Sequence, residues 1–181
     1  YECAKGNCGT RKARANEGGR VDGWATAPGK KSFRTGQQDF LMCKCMGRGD
    51  VAIEVSNAVA ALETGACPVR AMTGVLSDLR YLTHDVAAID IELDAPCDFE
   101  AGQFMAVSAP GVTGMRGYSM VNFARDTRSL QFLIKKKPGG GFSEWLFGGN
   151  ATGARLDLFG PLGKATFDPG LPQTILCIPV G

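Results

Sequence analysis

From Val69 to about Gly170 the chain alternates short apolar stretches with turn residues, most clearly in Ile89-Asp90-Ile91-Glu92-Leu93-Asp94, where apolar and acidic residues alternate strictly. Strand side chains point to opposite faces with a period of two, so this segment must place one face on a core and the other in water, as a half-buried antiparallel strand does. Residues 103–108, 115–122, 130–135 and 154–158 are predicted as further strands. Ala109-Pro110-Gly111, Lys137-Pro138-Gly139-Gly140 and Asp168-Pro169-Gly170 punctuate them with residue types that favour turns. Short strands at even spacing predict a barrel. One helix is predicted over 143–147, entered from glycines and left at Gly148-Gly149.

The flanks of this region read differently. Residues 1–56 are glycine-rich, carry cysteines and are weakly periodic until the alternation of Val51-Ala52-Ile53-Glu54-Val55, which predicts a strand closing a small unit. Residues 57–68 read as a linker and 69–170 as the barrel domain. In 171–181 the run Thr174-Ile175-Leu176-Cys177-Ile178-Pro179-Val180 is almost continuously apolar, as expected of a strand buried on both faces of a parallel sheet. The chain thus reads as mainly β, α+β overall, ending on the first strand of a further α/β domain. With no initiator Met and no signal peptide at Tyr1-Glu2-Cys3, it reads as a fragment.

Composition refines this picture. The hydrophobic share of 44% and charged share of 21% are those of a globular protein, and no apolar run approaches the roughly 18 residues of a membrane helix. The 25 glycines, about 14% where about 7% is usual, and seven cysteines, four of them within the first 45 positions, mark the front as special. Residues 1–50 hold ten Lys and Arg against five Asp and Glu, a balance of +5; the remainder holds ten against thirteen, −3. The front cations are scattered among glycines with one aromatic nearby, Trp24, so they read as a solvated surface rather than a nucleic-acid site.

The front cysteines have a definite spacing: Cys3, four residues, Cys8, two residues, position 11, then Cys43 at a distance. Plant-type [2Fe–2S] centres use C-x4-C-x2-C and one distant Cys. Their bridging sulfides need backbone N–H donors close by, which Gly6 and Gly9 would permit. A zinc knuckle and ordinary buried thiols are the competing readings. Position 11 does not comply, because Arg11 stands where the third thiolate belongs and a guanidinium is a poor iron ligand. The candidate ligands are therefore Cys3, Cys8 and Cys43. Cys45, two residues on, reads as a bystander, with substitution for position 11 a lesser option.

Three further motifs follow in order. In Arg116-Gly117-Tyr118-Ser119, alternation puts Arg116 and Tyr118 on one strand face, where a fork of donors beside an aromatic suits a phosphate and a planar ring. Gly140-Gly141-Phe142-Ser143 opens the helix, where unpaired N–H groups attract phosphate. Leu158-Phe159-Gly160-Pro161-Leu162-Gly163 reads as a tight turn leading out of the barrel.

This order, behind the cysteine loop, resembles the ferredoxin–flavin reductase components of bacterial multicomponent oxygenases, such as toluene or phenol monooxygenases and related ring-hydroxylating systems. The resemblance covers essentially the whole chain. It implies a β-grasp [2Fe–2S] ferredoxin domain, here partial, then a six-stranded antiparallel FAD-binding β-barrel of the ferredoxin reductase type and the first strand of a truncated α/β NAD(P)-binding domain. The family's R-x-Y-S motif matches Arg116, Tyr118 and Ser119, implying an arginine on the FAD phosphates, a tyrosine stacked on the isoalloxazine and a serine near its reactive N5. Tyr118 and Ser119 are thereby the candidate catalytic residues. Its G-x-x-S motif matches Gly140 and Ser143 and implies pyrophosphate contacts from the backbone of Gly141, Phe142 and Ser143, while Phe99-Glu100-Ala101-Gly102-Gln103-Phe104 matches F-x-x-G-Q-[FY]. Lys135 is a candidate contact to the adenosine half.

The function implied is an NAD(P)H-dependent oxidoreductase of the cytoplasm, passing electrons through FAD and the cluster to an oxygenase hydroxylase component or a Rieske-type or other ferredoxin, with no nucleic-acid or membrane partner. Lacking the hydride donor's site, this chain is expected not to oxidise NADH at useful rates. The alternative is a non-catalytic, zinc-bound or metal-free binding module. A hydrolase reading fails at once: Gly117-Tyr118-Ser119-Met120-Val121 lacks the last glycine of G-x-S-x-G, and the single histidine, His84, reads as a surface turn residue. Cys67, Cys97 and Cys177 read as incidental thiols, Lys135-Lys136-Lys137 as a solvated strand end, and Trp145 and Phe147 as core.

Overall fold

The structure, a computed structural model, describes residues 6, 9, 11–33, 38–55, 67–149, 151–170 and 172. The apolar run 174–180 lies outside them, as do Cys3, Cys8 and Cys177. The described residues form two antiparallel sheets.

The first sheet has the order β2-β1-β3, with β1 Lys12–Gly23, β2 Asp39–Leu41 and β3 Cys45–Val55. Two 3-10 turns, Pro28–Ser32 and Met42–Lys44, accompany it, and no α-helix occurs among its described residues. The predicted strand over 51–55 is the end of the longer β3. Strand β1 carries no apolar alternation that would announce it. It pairs with β3 from Ala13 opposite Val55 to Gly23 opposite Cys45, across two register shifts. Glycine permits one of them: a Cβ on Gly18 would lie 2.2 Å from the Asp50 carbonyl oxygen, and Gly18 has φ +93°. Little of this sheet is buried beyond Ala13, Phe40 and Leu41.

The second sheet carries the barrel: β4 Arg70–Tyr81, β5 Val86–Cys97, β6 Phe104–Ser108, β7 Arg116–Ser119, β8 Thr127–Lys135 and β9 Arg155–Leu162, in the order β7-β6-β9-β4-β5-β8. The alternation along β5 appears as drawn from sequence, with Ala87, Ile89, Ile91 and Leu93 buried and Glu92 and Asp94 exposed. Facing strands add Leu76, Met105, Leu130, Phe132, Ile134, Leu156 and Leu158 to one core. The curled sheet closes on itself at one end. Strand β7 stops at Ser119, three residues short of the expected end, because the chain there turns from β6 to β8: Met120 bridges Phe132, and the Val121 N–H donates to Gln131 O at 2.9 Å. The Asn122 side chain continues the seam, donating to Ser129 O and accepting from Gln131 N, both at 2.9 Å.

The helix, α1, spans Gly141–Phe147 and begins two residues before the expected start; Phe142 and Leu146, fully buried, plug one end of the barrel. Residues 158–163 are not a turn. Strand β9 runs through to Leu162, which pairs with Phe104, and absorbs Pro161 at a register shift, since proline has no N–H for the ladder. Gly160 is needed at that shift because a Cβ there would lie 2.4 Å from Met105 Sδ. The Gln103 side chain ties the start of β6 to the end of β9, accepting from Glu100 N at 2.8 Å and donating to Gly163 O at 3.1 Å. That double tie is what the Gly102-Gln103 motif supplies.

Candidate functional site

Strand β7 supplies Arg116 and Tyr118, two residues apart on one rim strand. Arg116 is exposed, its guanidinium donating to Met115 O at 3.1 Å, so its remaining donors face solvent. Tyr118 is half-buried, its ring centroid 5.4 Å from that of Phe142 on α1. Burial holds its phenol pKa above the ordinary value, outweighing the opposing pull of Arg116, so the ring is neutral at physiological pH. Ser119 is exposed at the end of the same strand.

The Tyr118–Phe142 contact brings the two motifs together, for Phe142 is in the first turn of α1. The N–H groups of Gly141, Phe142 and Ser143 belong to that turn, which helix geometry leaves without intrahelical acceptors; the first intrahelical donor is Glu144 N, to Gly140 O at 2.8 Å. The loop before the helix is held by the buried Ser143 hydroxyl, which accepts from Lys137 N at 3.0 Å and reaches Gly140 O at 3.0 Å. Position 140 admits no side chain, since a Cβ would lie 2.7 Å from Ser143 Oγ and 2.8 Å from Lys137 O. A guanidinium, a neutral aromatic ring and a row of first-turn N–H groups are the donor set that a phosphate-linked planar ring requires, and here they fit FAD. Lys135 is set apart from this group: its ammonium is 3.7 Å from Asp85 in the β4–β5 turn, and its side chain is otherwise solvated.

The cysteine region lies beside Arg116. A cavity of about 960 Å³ is lined by Asp22, Trp24, Cys43, Cys45 and Met46 of the first sheet and by residues 113–116 of the barrel. Gly6, midway between Cys3 and Cys8, sits against the stem of Lys44: a Cβ on it would lie 3.0 Å from Lys44 Cγ. Its carbonyl accepts from Gly29 N at 2.8 Å, and Gly29 itself has no room for a Cβ, which would meet Gly6 O and Gly9 N at 2.7 Å. Arg11 lies at the same place, its carbonyl accepting from Met42 N at 2.9 Å. Among the described residues, positions 6 and 9 therefore lie against Gly29, and positions 6 and 11 against the 42–44 turn. The set Cys3, Cys8 and Cys43 does not fit a [2Fe–2S] cluster by itself, because the residue at position 11 is an arginine and one thiolate is wanting. Cys45 is half-buried; burial first, and the neighbouring Cys43 second, raise its thiol pKa.

Sequence reasoning did not single out Trp24 and Gly29 for this region. Trp24 is 46% exposed on the cavity wall, which no periodicity signals, and Gly29 matters only through the loop packed on it. The remaining residues follow expectation more closely. His84 is 94% exposed in its turn. Cys97 is buried and Cys67 half-buried, each with its thiol pKa raised chiefly by burial. Trp145 and Phe147 pack on the core while staying partly exposed.

A six-stranded antiparallel barrel with this rim strand and this helix start has the fold of the FAD-binding barrels of ferredoxin reductases. The family model described as "Oxidoreductase FAD-binding domain" matches residues 73–167, and the chain belongs to that family. It is 38% identical over 180 residues to the ferredoxin–NAD(P)(+) reductase CarAd of Metapseudomonas resinovorans, an alignment covering 98% of this chain and 54% of that protein. It is 31% identical over 178 residues to the ferredoxin–NAD(P)(+) reductase component of the naphthalene 1,2-dioxygenase system of Pseudomonas putida, covering 98% and 52%. Among solved structures, the ferredoxin reductase in carbazole 1,9a-dioxygenase superposes with a TM-score of 0.81 at 38% identity, over 94% of this chain and 51% of the other. The chain thus spans about half the length of the curated relatives it matches. Among the described residues, no helix is long and apolar enough to cross a membrane.

Proposed function

We propose that this chain is the FAD-binding portion, with a cysteine-bearing unit in front, of a reductase that takes electrons from NAD(P)H and delivers them to an oxygenase component or a ferredoxin. The observation that carries the reading is the Tyr118–Phe142 contact, which sets the ring-binding strand beside the phosphate-binding helix start. In this reading Arg116 neutralises phosphate charge, the N–H groups of Gly141, Phe142 and Ser143 hold the pyrophosphate, Tyr118 covers the ring, and the Ser119 hydroxyl donates toward it. Bound FAD supplies the exchange between two-electron and one-electron transfer. The residues supply position and exclude water: Phe142 packs behind Tyr118 and keeps the inner side of the ring site apolar.

The cavity between Arg116 and Cys43 is, in this reading, where the flavin site meets the cysteine unit. Names of relatives such as the xylene/toluene monooxygenase electron transfer component of Pseudomonas putida support an oxygenase system as the destination. The test is a fluorescence titration of the chain with FAD and riboflavin, with zinc measured on the same sample. FAD binding tighter than riboflavin supports the proposal. A chain that quenches neither flavin and carries stoichiometric zinc contradicts it and favours a structural cysteine module.

A further inference from the structure

We propose that Trp24 of the first sheet is a contact residue for the ring of the bound flavin, reached through the cavity that Arg116 shares with the cysteine unit. The inference rests on the FAD reading above and adds to it a residue outside the barrel.

Trp24 follows β1, and its backbone N–H donates to Lys44 O at 3.1 Å, one step past the Gly23–Cys45 pair of the ladder. Its side chain is held in place. The indole Nε1–H donates to Thr26 Oγ1 at 2.9 Å, so the only polar atom of the ring is satisfied within the chain. A Cβ on Gly6 would lie 3.5 Å from Trp24 Cε3, so the backbone at Gly6 supports the ring from one side. Even so, Trp24 is 46% exposed and Met46, on the paired strand β3, is 59% exposed. Both line the cavity of about 960 Å³ together with Cys43, Cys45, Met115 and Arg116. Single exposed apolar residues are ordinary. An indole fixed by its own hydrogen bond, grouped with two methionines in one cavity of ligand size, is instead a surface suited to an apolar ring.

Arg116 indicates which ring. It stands two residues before Tyr118 on β7, so about 7 Å of strand separates a residue of the cavity from the residue that covers the flavin in the reading above. Among the parts of FAD, the ribityl chain and the phosphates ask for donors that a wall of indole and sulfur does not offer. The three-ring isoalloxazine is apolar over most of its area and long enough to touch both Tyr118 and a neighbour. It is electron-poor when oxidised, and an electron-rich indole is its natural stacking partner. The adenine is the other planar part, and the test separates the two.

The test titrates the isotope-labelled chain with FAD, riboflavin and ADP and follows the indole N–H resonances of its two tryptophans, assigned with Trp24→Phe. Flavin affinities are measured by fluorescence in the wild type, Trp24→Phe and Trp24→Ala. The expected result is that FAD and riboflavin shift the Trp24 resonance while ADP leaves it in place. Trp24→Ala should weaken both flavins about fivefold, and Trp24→Phe, which keeps an aromatic face, should recover most of the loss. FAD that binds one per chain without moving the Trp24 resonance overturns the contact and leaves the FAD reading standing. Unchanged flavin affinity in Trp24→Ala does the same, as does an equal shift with ADP, which would assign the cavity to the adenosine half. A wild type that binds neither flavin overturns both.

Discussion

Replacing Ser143 with alanine tests whether the phosphate-binding loop is held by its own side chain. The hydroxyl is 3% exposed and joins Lys137 N, Lys137 O and Gly140 O. Both carbonyls keep another donor after the change, since Gly140 N donates to Lys137 O and Glu144 N to Gly140 O, each at 2.8 Å. Only the Lys137 N–H is left unsatisfied. A fully buried orphan donor costs about 1–3 kcal/mol, and this one is partly solvated, which puts the cost at about 1 kcal/mol. For a barrel of this size that is a fall in Tm of about 4–8 °C. If binding FAD restores the loop, the same energy reappears as FAD affinity weakened about fivefold. Thermal melting of the flavin-free protein and a fluorescence titration with FAD measure the two quantities. Unchanged Tm with weakened FAD would mean that the hydroxyl acts on the ligand directly, and no change in either would refute the clamp.

Further predictions follow from the rim and from the first sheet. Arg116→Ala should weaken FAD roughly 10-fold, the lower end for a charge-assisted hydrogen bond at an exposed site, and leave riboflavin unaffected because riboflavin carries no phosphate. Equal losses for both flavins, read by fluorescence, would assign Arg116 to the ring instead. In the first sheet, the Asp39 carboxylate is 1% exposed and lies 2.7 Å from Lys12 Nζ and 3.1 Å from Arg14 Nε. The hydrogen bond from Lys12, aided by that from Arg14, holds its pKa below the usual value. A carboxylate depressed in the folded state stabilises above its unfolded pKa of about 3.9 and loses that contribution as pH falls through the lower folded value. Melts of the chain between about pH 3 and 7 should therefore show an acid destabilisation that Asp39→Asn reduces while lowering Tm at neutral pH; an identical pH profile in the variant would contradict this.

The barrel was legible because its strands alternate against one core. Ile89 to Leu93 state their faces outright, and the glycine-opened helix needed only a shift of two residues. The exit of the barrel was misread because Pro161 and Gly160 are turn residues by type, and only the register shift opposite Met105 shows why a strand tolerates them. Strand β1 stayed hidden because its sheet is mostly solvated, so burial left no periodic mark on its sequence. At the site, Arg116, Tyr118 and the first turn of α1 could be named from local pattern, but their meeting through Phe142 is tertiary.

The central claim, that FAD is held by β7 and the first turn of α1, is tested most directly by titrating the isotope-labelled chain with FAD and following its amide resonances. The account predicts the largest shifts at the N–H groups of Gly141, Phe142 and Ser143 and at Tyr118 and Ser119, saturating together at one FAD per chain. Saturable binding whose shifts leave both elements untouched would contradict it.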